Sequence, residues 1–372
     1  MELFYYTTTD TMKYILTQGD IYATNIRYMN DSEEYINGLK EIYELVNKTE
    51  LVTKWINQKG FDRNLLKKMH DIFSHDNLDE NMRNMEYYSI SFCKQNDLLS
   101  QWAIYAKEAG VSIKMNFENS PYKFLSDSCD EDKTNKAEWN LMPQEVYYFT
   151  YDSMEDKSAY EEIAYKILDQ LYEGDVKDQS DGKKERWRYV STLVKRYDFY
   201  QEKESRLIFD PNETAYIPSV LYRQDKKVLK PYLDIYCDNG WPIIEVMIGP
   251  GFNQQVVFDS VQHLLDHAKV KVGITSVEDY VERVKLYLSP YDSELKKYSV
   301  YDGLSSQCLQ EDWVNNVEME QAKIFINQEM FKLREEINKD DHCNENLKKY
   351  FKKSYFTRSG VVLTKSSIPY IF

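Results

Sequence analysis

Glycine and proline are scarce in this chain, 12 and 9 in 372 residues. Flexible linkers and low-complexity tails draw on these residues, so the composition argues against extended disorder. Positive charge is also short: 47 lysines and arginines face 62 aspartates and glutamates, a net charge of −15. That balance disfavours non-specific binding to nucleic acid or to an anionic membrane. No apolar run approaches the ~20 residues of a membrane helix, and the opening MELFYYTT carries no targeting pattern. The five cysteines (Cys93, Cys129, Cys237, Cys308, Cys343) lie far apart, with no CxxC pair. An odd number without a leader points to a reducing cytoplasm, and the spacing offers no zinc site. His263 and His267 lack the acidic residue of the metalloprotease arrangement and read as a surface pair. Gly249-Pro250-Gly251 reads as a turn, since a phosphate-cradling loop needs the GxxxxGKS spacing.

What is present is a globular composition, 42% hydrophobic and 29% charged, with 32 tyrosines. Residues 2–8 and 21–24 read as strands flanking a short helix that Thr9 or Asp10 caps and Gly19 ends. Asn30-Asp31 suits a tight turn. Tyr88, Ile90 and Phe92 alternate with Ser89 and Ser91, the pattern of a half-buried strand with hydroxyls on one face. Asp97 is placed to cap a helix whose Trp102 and Tyr105 lie on an apolar stripe. Residues 119–140 are polar, with SCDEDKTNKAE (128–138) resembling an exposed loop, while 184–200 reads as a helix and 269–274 as a strand. Irregular connections between short strands and helices predict an α+β fold with a mostly antiparallel sheet. The division expected is a core over 1–275, a charged helical addition over 276–358, and a closing strand over 359–372.

The densest chemistry lies in EKESRLIF, residues 202–209. In an extended strand Glu202, Glu204 and Arg206 share one face, while Leu207 and Phe209 point into a core. Two carboxylates side by side raise each other's cost of ionisation, and a guanidinium relieves it. Such a cluster suits stabilisation of developing positive charge. It also suits an edge strand with a solvated salt bridge.

Further motifs recur along the chain: FYYTT, the helix ending at Gly19, IYAT, Asn30-Asp31-x-x-Glu34, Ser89-x-Ser91, and Trp102 with Tyr105-Ala106. Glu202-x-Glu204-x-Arg206, Ile248-Gly249-Pro250 and Ser367-Ile368-Pro369-Tyr370 complete the set. Together they resemble the bacterial domain of unknown function 2971 family, which is associated with phage defence. The resemblance covers most of 2–275 and the last dozen residues. It departs before the acidic pair, where Phe199 and Tyr200 stand in place of the family's tryptophan.

The order of parts is also similar to that of ADP-ribosyltransferases, and this implies an ADP-ribosyltransferase-like fold acting on NAD. On that resemblance Glu204 stabilises the ribosyl cation, Glu202 orients the acceptor, and Arg206 fixes the pair or meets a phosphate. Ser89 and Ser91 would line the nucleotide groove, with Tyr5 or Tyr6 at the nicotinamide end. Asn30, Asp31, Trp102 and Tyr105 complete the expected binding set. A macromolecular acceptor or a defence-system partner protein is implied. NAD hydrolysis, and a non-enzymatic sensor or binding module, are the alternatives.

Overall fold

The computed structural model describes residues 1–29, 34–62, 64–72, 86–106, 110–118, 120–130, 134–149, 157–172, 186–225, 227–305, 314–315 and 317–368. Fifteen strands are found among them. The first six are β1 (Glu2–Thr7), β2 (Asp20–Asn25), β3 (Tyr88–Cys93), β4 (Val111–Asn116), β5 (Tyr122–Asp127) and β6 (Lys136–Leu141). Then come β7 (Gln144–Glu145), β8 (Tyr147–Tyr148), β9 (Val194–Lys195), β10 (Glu204–Phe209) and β11 (Leu221–Asp225). The last four are β12 (Val228–Cys237), β13 (Ile243–Ile248), β14 (Ser354–Phe356) and β15 (Val362–Lys365). Pairing is mostly antiparallel and the helices are interspersed, so the fold is α+β.

Contacts divide the chain into two units: residues 1–21, 92–120 and 236–372, and residues 22–91 and 121–235. In the first, the strand order is β14-β15-β13-β4-β1, with Cys93 at the end of β3 paired to Phe4. Only β13 and β15 pair in parallel there. Helix Thr9–Gln18 begins one residue earlier than its sequence cues suggest, because Thr8 accepts the Thr11 N–H; Gly19 ends it at φ 88°.

The helices expected over 276–358 form, including Val277–Leu288, Met319–Lys339 and Glu345–Lys353. They belong to the first unit. Tyr280, Tyr287, Ile326, Leu333 and Phe351 form one buried cluster, against which Ile274 and Val362 pack from either side of the expected boundary. The segment also contributes β14 to the sheet.

The second unit joins a sheet ordered β10-β3-β2-β12-β5-β6 to a helical layer. Helices Glu34–Asn47, Thr49–Lys59, Asn64–Ile72 and Lys157–Leu171 bury Ile42, Leu45, Trp55, Met69 and Leu168 in a common core. Three sequence expectations are corrected here and in the first unit. The polar stretch 119–140 contains the β5–β6 hairpin, held by aromatic residues that the charged neighbours obscure: Phe124 pairs with Trp139. Of the helix expected over 184–200, the described residues form a short helix, Arg186–Ser191, then β9 and a 3-10 turn, Tyr197–Glu202. Residues 269–274 take no regular structure; the Lys271 N–H bonds the Leu16 carbonyl instead of a sheet neighbour.

Candidate active site

The expected EKESR face is built differently from a continuous strand. Strand β10 starts at Glu204, while Glu202 ends the 3-10 turn. Between them Lys203 takes φ 45°, a left-handed conformation that costs a side-chain-bearing residue of order 1 kcal/mol. The reversal nevertheless brings both carboxylates to one ammonium. Lys195 Nζ lies 2.6 Å from Glu202 Oε2 and 3.2 Å from Glu204 Oε2. Arg206 closes the group from the other side, with Nε donating to Glu204 Oε1 at 2.7 Å and Nη2 to Oε2 at 2.8 Å.

Lys195 is the member of this cluster that the sequence reading missed. It sits on β9, two residues long, which pairs in parallel with β8. Gly38 lets this segment approach helix Glu34–Asn47: a Cβ there would stand 2.5 Å from the Ser191 carbonyl and 2.8 Å from that of Val194. The chain is anchored again where Arg206 Nη1 donates to the Thr192 carbonyl and the Glu204 N–H donates to Tyr148 Oη at 2.6 Å. The available signal was the β-branched Thr192 and Val194, which fit a strand better than a helix interior.

Burial grades the cluster. Side-chain exposure is 1% for Arg206, 6% for Lys195 and 7% for Glu204, but 20% for Glu202. Burial alone would raise the Glu204 pKa. The charges of Arg206 and Lys195, with the hydrogen bonds from Arg206 and the nearby Ser91 hydroxyl, outweigh it and hold the carboxyl down at about 2. Glu204 is thus a permanent anion enclosed by two cations. Beside Glu202 the turn carries aromatic rings: Tyr197 and Tyr200 stack at 5.5 Å, Tyr200 is half exposed, and Lys195 lies 5.0 Å from the Phe199 ring centre.

Strands β3 and β10 are neighbours. Ser91 therefore reaches the Glu204 carboxylate closely enough to lower its pKa, although its buried hydroxyl makes no hydrogen bond of regular geometry. Ser89 shares that face by alternation, and its hydroxyl is likewise buried without a partner among the described residues.

Tyr5, Tyr6, Trp102 and Tyr105 belong to the first unit. Tyr5 is half-buried against Phe92, and Tyr105 is exposed. Tyr6 is buried and packs edge-on against Trp102 at 4.8 Å, which makes both of them core residues. Burial also pushes the Tyr6 hydroxyl pKa well above its usual value. Asn30 and Asp31 lie outside the described residues.

Asp97 does not cap its helix, which has no side-chain cap. Its carboxylate instead accepts from Trp102 Nε1 at 2.9 Å, from the Ser366 hydroxyl, and from the Ser367 N–H at 2.9 Å. Ser366 and the serine of the closing motif, Ser367, are therefore a clasp for the Asp97–Trp102 pair. No group of acidic, cysteine or histidine side chains among the described residues could hold a metal. None of the described helices is long and apolar enough to cross a membrane.

Family models, curated proteins and solved structures were compared with the chain, and none matches.

Proposed function

We propose that the protein cleaves the nicotinamide–ribose bond of NAD, as an ADP-ribosyltransferase-like enzyme, with Glu202 as the carboxylate that meets the substrate. The observation that carries this reading is the graded pair. Glu204 is enclosed, whereas Glu202 is the most accessible member of the cluster and stands beside stacked tyrosines.

The nicotinamide ring of NAD is flat and cationic, a fit for tyrosine faces next to a carboxylate. As the glycosidic bond breaks, its electron pair passes to the ring nitrogen and neutralises it. Positive charge then develops on the ribose, and a fixed anion nearby stabilises it. Water or a nucleophile on a macromolecular acceptor adds to the ribosyl carbon and gives up a proton. Lys195 holds Glu202 in place, and Glu204 with Arg206 holds Lys195. This exchanges the roles of the two glutamates implied by the family resemblance, because a carboxylate gripped at both oxygens has little charge left to offer.

The test is release of nicotinamide from NAD by the purified chain, with Glu202→Gln beside it. Wild type should turn over, and the variant should lose on the order of 10²–10³ in rate while its circular dichroism is unchanged. A wild type inert towards NAD overturns the assignment. One observation favours a second reading, a non-enzymatic sensor or binding module: both Glu204 oxygens are engaged, as in a purely structural clamp. On that reading neither protein releases nicotinamide.

A further inference from the structure

The first unit holds a cavity of about 770 Å³ that shares no residue with the Glu202 cluster. It lies between the turn at Asp238, the end of helix Gln254–His267, the irregular segment 268–274, and the start of helix Met319–Lys339. Its volume is that of a pocket for a drug-sized or nucleotide-sized molecule.

Its charge is unlike that of the whole chain. Four permanent cations line it, Lys269, Lys271, Lys323 and Arg358, in a protein of net charge −15. Three carboxylates line it as well, Asp238, Asp266 and Glu320, one fewer than the cations, and Glu320 is already ion-paired. Glu320 is shared by Arg358 at 2.9 Å and Lys323 at 3.3 Å, two cations on one anion. Asp266 accepts the Arg358 backbone N–H at 2.8 Å.

The other two lysines have no carboxylate partner among the described residues. Lys271 Nζ donates to the neutral Gln18 carbonyl, and Lys269 is exposed, without a partner among the described residues. Positive charge in excess of the local carboxylates, arranged around a nucleotide-sized space, is what a phosphate chain requires. Asp238 adds an acceptor suited to sugar hydroxyls.

We propose that this cavity binds a nucleoside polyphosphate. The lysines and Arg358 meet the phosphates, and Asp238 meets the ribose. The site is independent of the reaction assigned above and stands or falls separately.

Titration calorimetry of the full chain with ATP tests it, with inorganic tripolyphosphate as a second ligand. ATP should bind saturably below millimolar concentration and more weakly as salt is raised. Lys269→Glu, an exposed change that spares the fold, should weaken binding at least about tenfold, and Lys269→Glu with Lys323→Glu should weaken it further. Glu202→Gln should leave it unchanged. Tripolyphosphate binding as tightly as ATP would support recognition of the phosphates alone, and weaker binding would support an added ribose contact. Absence of binding by both ligands, or unaltered affinity in a folded double variant, overturns the proposal.

Discussion

Arg206 grips Glu204 with two parallel hydrogen bonds, at 2.7 and 2.8 Å, although the two residues are only two apart on the same buried strand. The geometry is the bidentate fork that guanidinium alone provides. Removing the guanidinium would leave Glu204 interred with a lysine that it shares. Arg206→Met should therefore cost about 3–5 kcal/mol in denaturant unfolding. Glu204→Leu combined with Arg206→Met should cost less than Arg206→Met alone, since no carboxylate remains stranded. If Arg206→Met melts with wild type, the pair is not the clamp described.

The same pair makes stability depend on acid. The Glu204 pKa is lowered from 4.5 to about 2 in the folded protein. A carboxyl whose folded value is depressed contributes in full above its unfolded value, and the contribution fades as pH falls through the folded one. The stability difference between wild type and Glu204→Gln should be constant above about pH 5 and should shrink between about pH 4 and pH 2. Urea melts of both proteins across that range measure it. A gap that stays constant to pH 2 would show that Glu204 is not the titrating group.

Much of this arrangement was legible beforehand. The serine alternation of β3 placed Ser89 and Ser91 on one face, although their hydroxyls are buried and that face is not the open side of a half-buried strand, and the EKESR spacing singled out the carboxylates. Lys195 was not legible, because its strand is two residues long and is held by Gly38 and by tertiary pairing with β8. Such a segment has no period of its own for a sequence to display. Likewise the turn at Lys203 replaces the expected strand at Glu202, since convergence on Lys195 outweighs the cost of a left-handed residue. Segment 269–274 alternates like a strand, but its neighbours leave it bordering a cavity.

Asp97 carries a second testable knot. Its backbone is left-handed at φ 51°, and its carboxylate accepts from Trp102, Ser366 and Ser367. Asp97→Ala would orphan the indole N–H of a side chain only 2% exposed, at a cost of about 1–3 kcal/mol. The left-handed backbone would add of order 1 kcal/mol for alanine. Asp97→Asn keeps an acceptor and tolerates the conformation, so its melting temperature should fall between those of wild type and Asp97→Ala. Equal melting temperatures for all three would remove the clasp from the account.

Gly249 tests the other side of the same tryptophan. A Cβ at this position would stand 2.9 Å from the Trp102 ring and 3.0 Å from the Gly110 carbonyl, to which the Gly249 N–H is bonded. The ring has little freedom to retreat, because Asp97 holds its nitrogen and Tyr6 packs against it. Gly249→Ala should therefore cost about 1–3 kcal/mol as an overpacked core, well beyond an ordinary surface change. Trp102→Leu should be costly too, because it opens space and leaves Asp97 short of a donor. Together the two should cost less than their sum, by about 0.5–3 kcal/mol, since the smaller side chain vacates the volume that the new methyl needs. Additive penalties in the double-mutant cycle would mean that alanine at 249 acts through the backbone and not through Trp102.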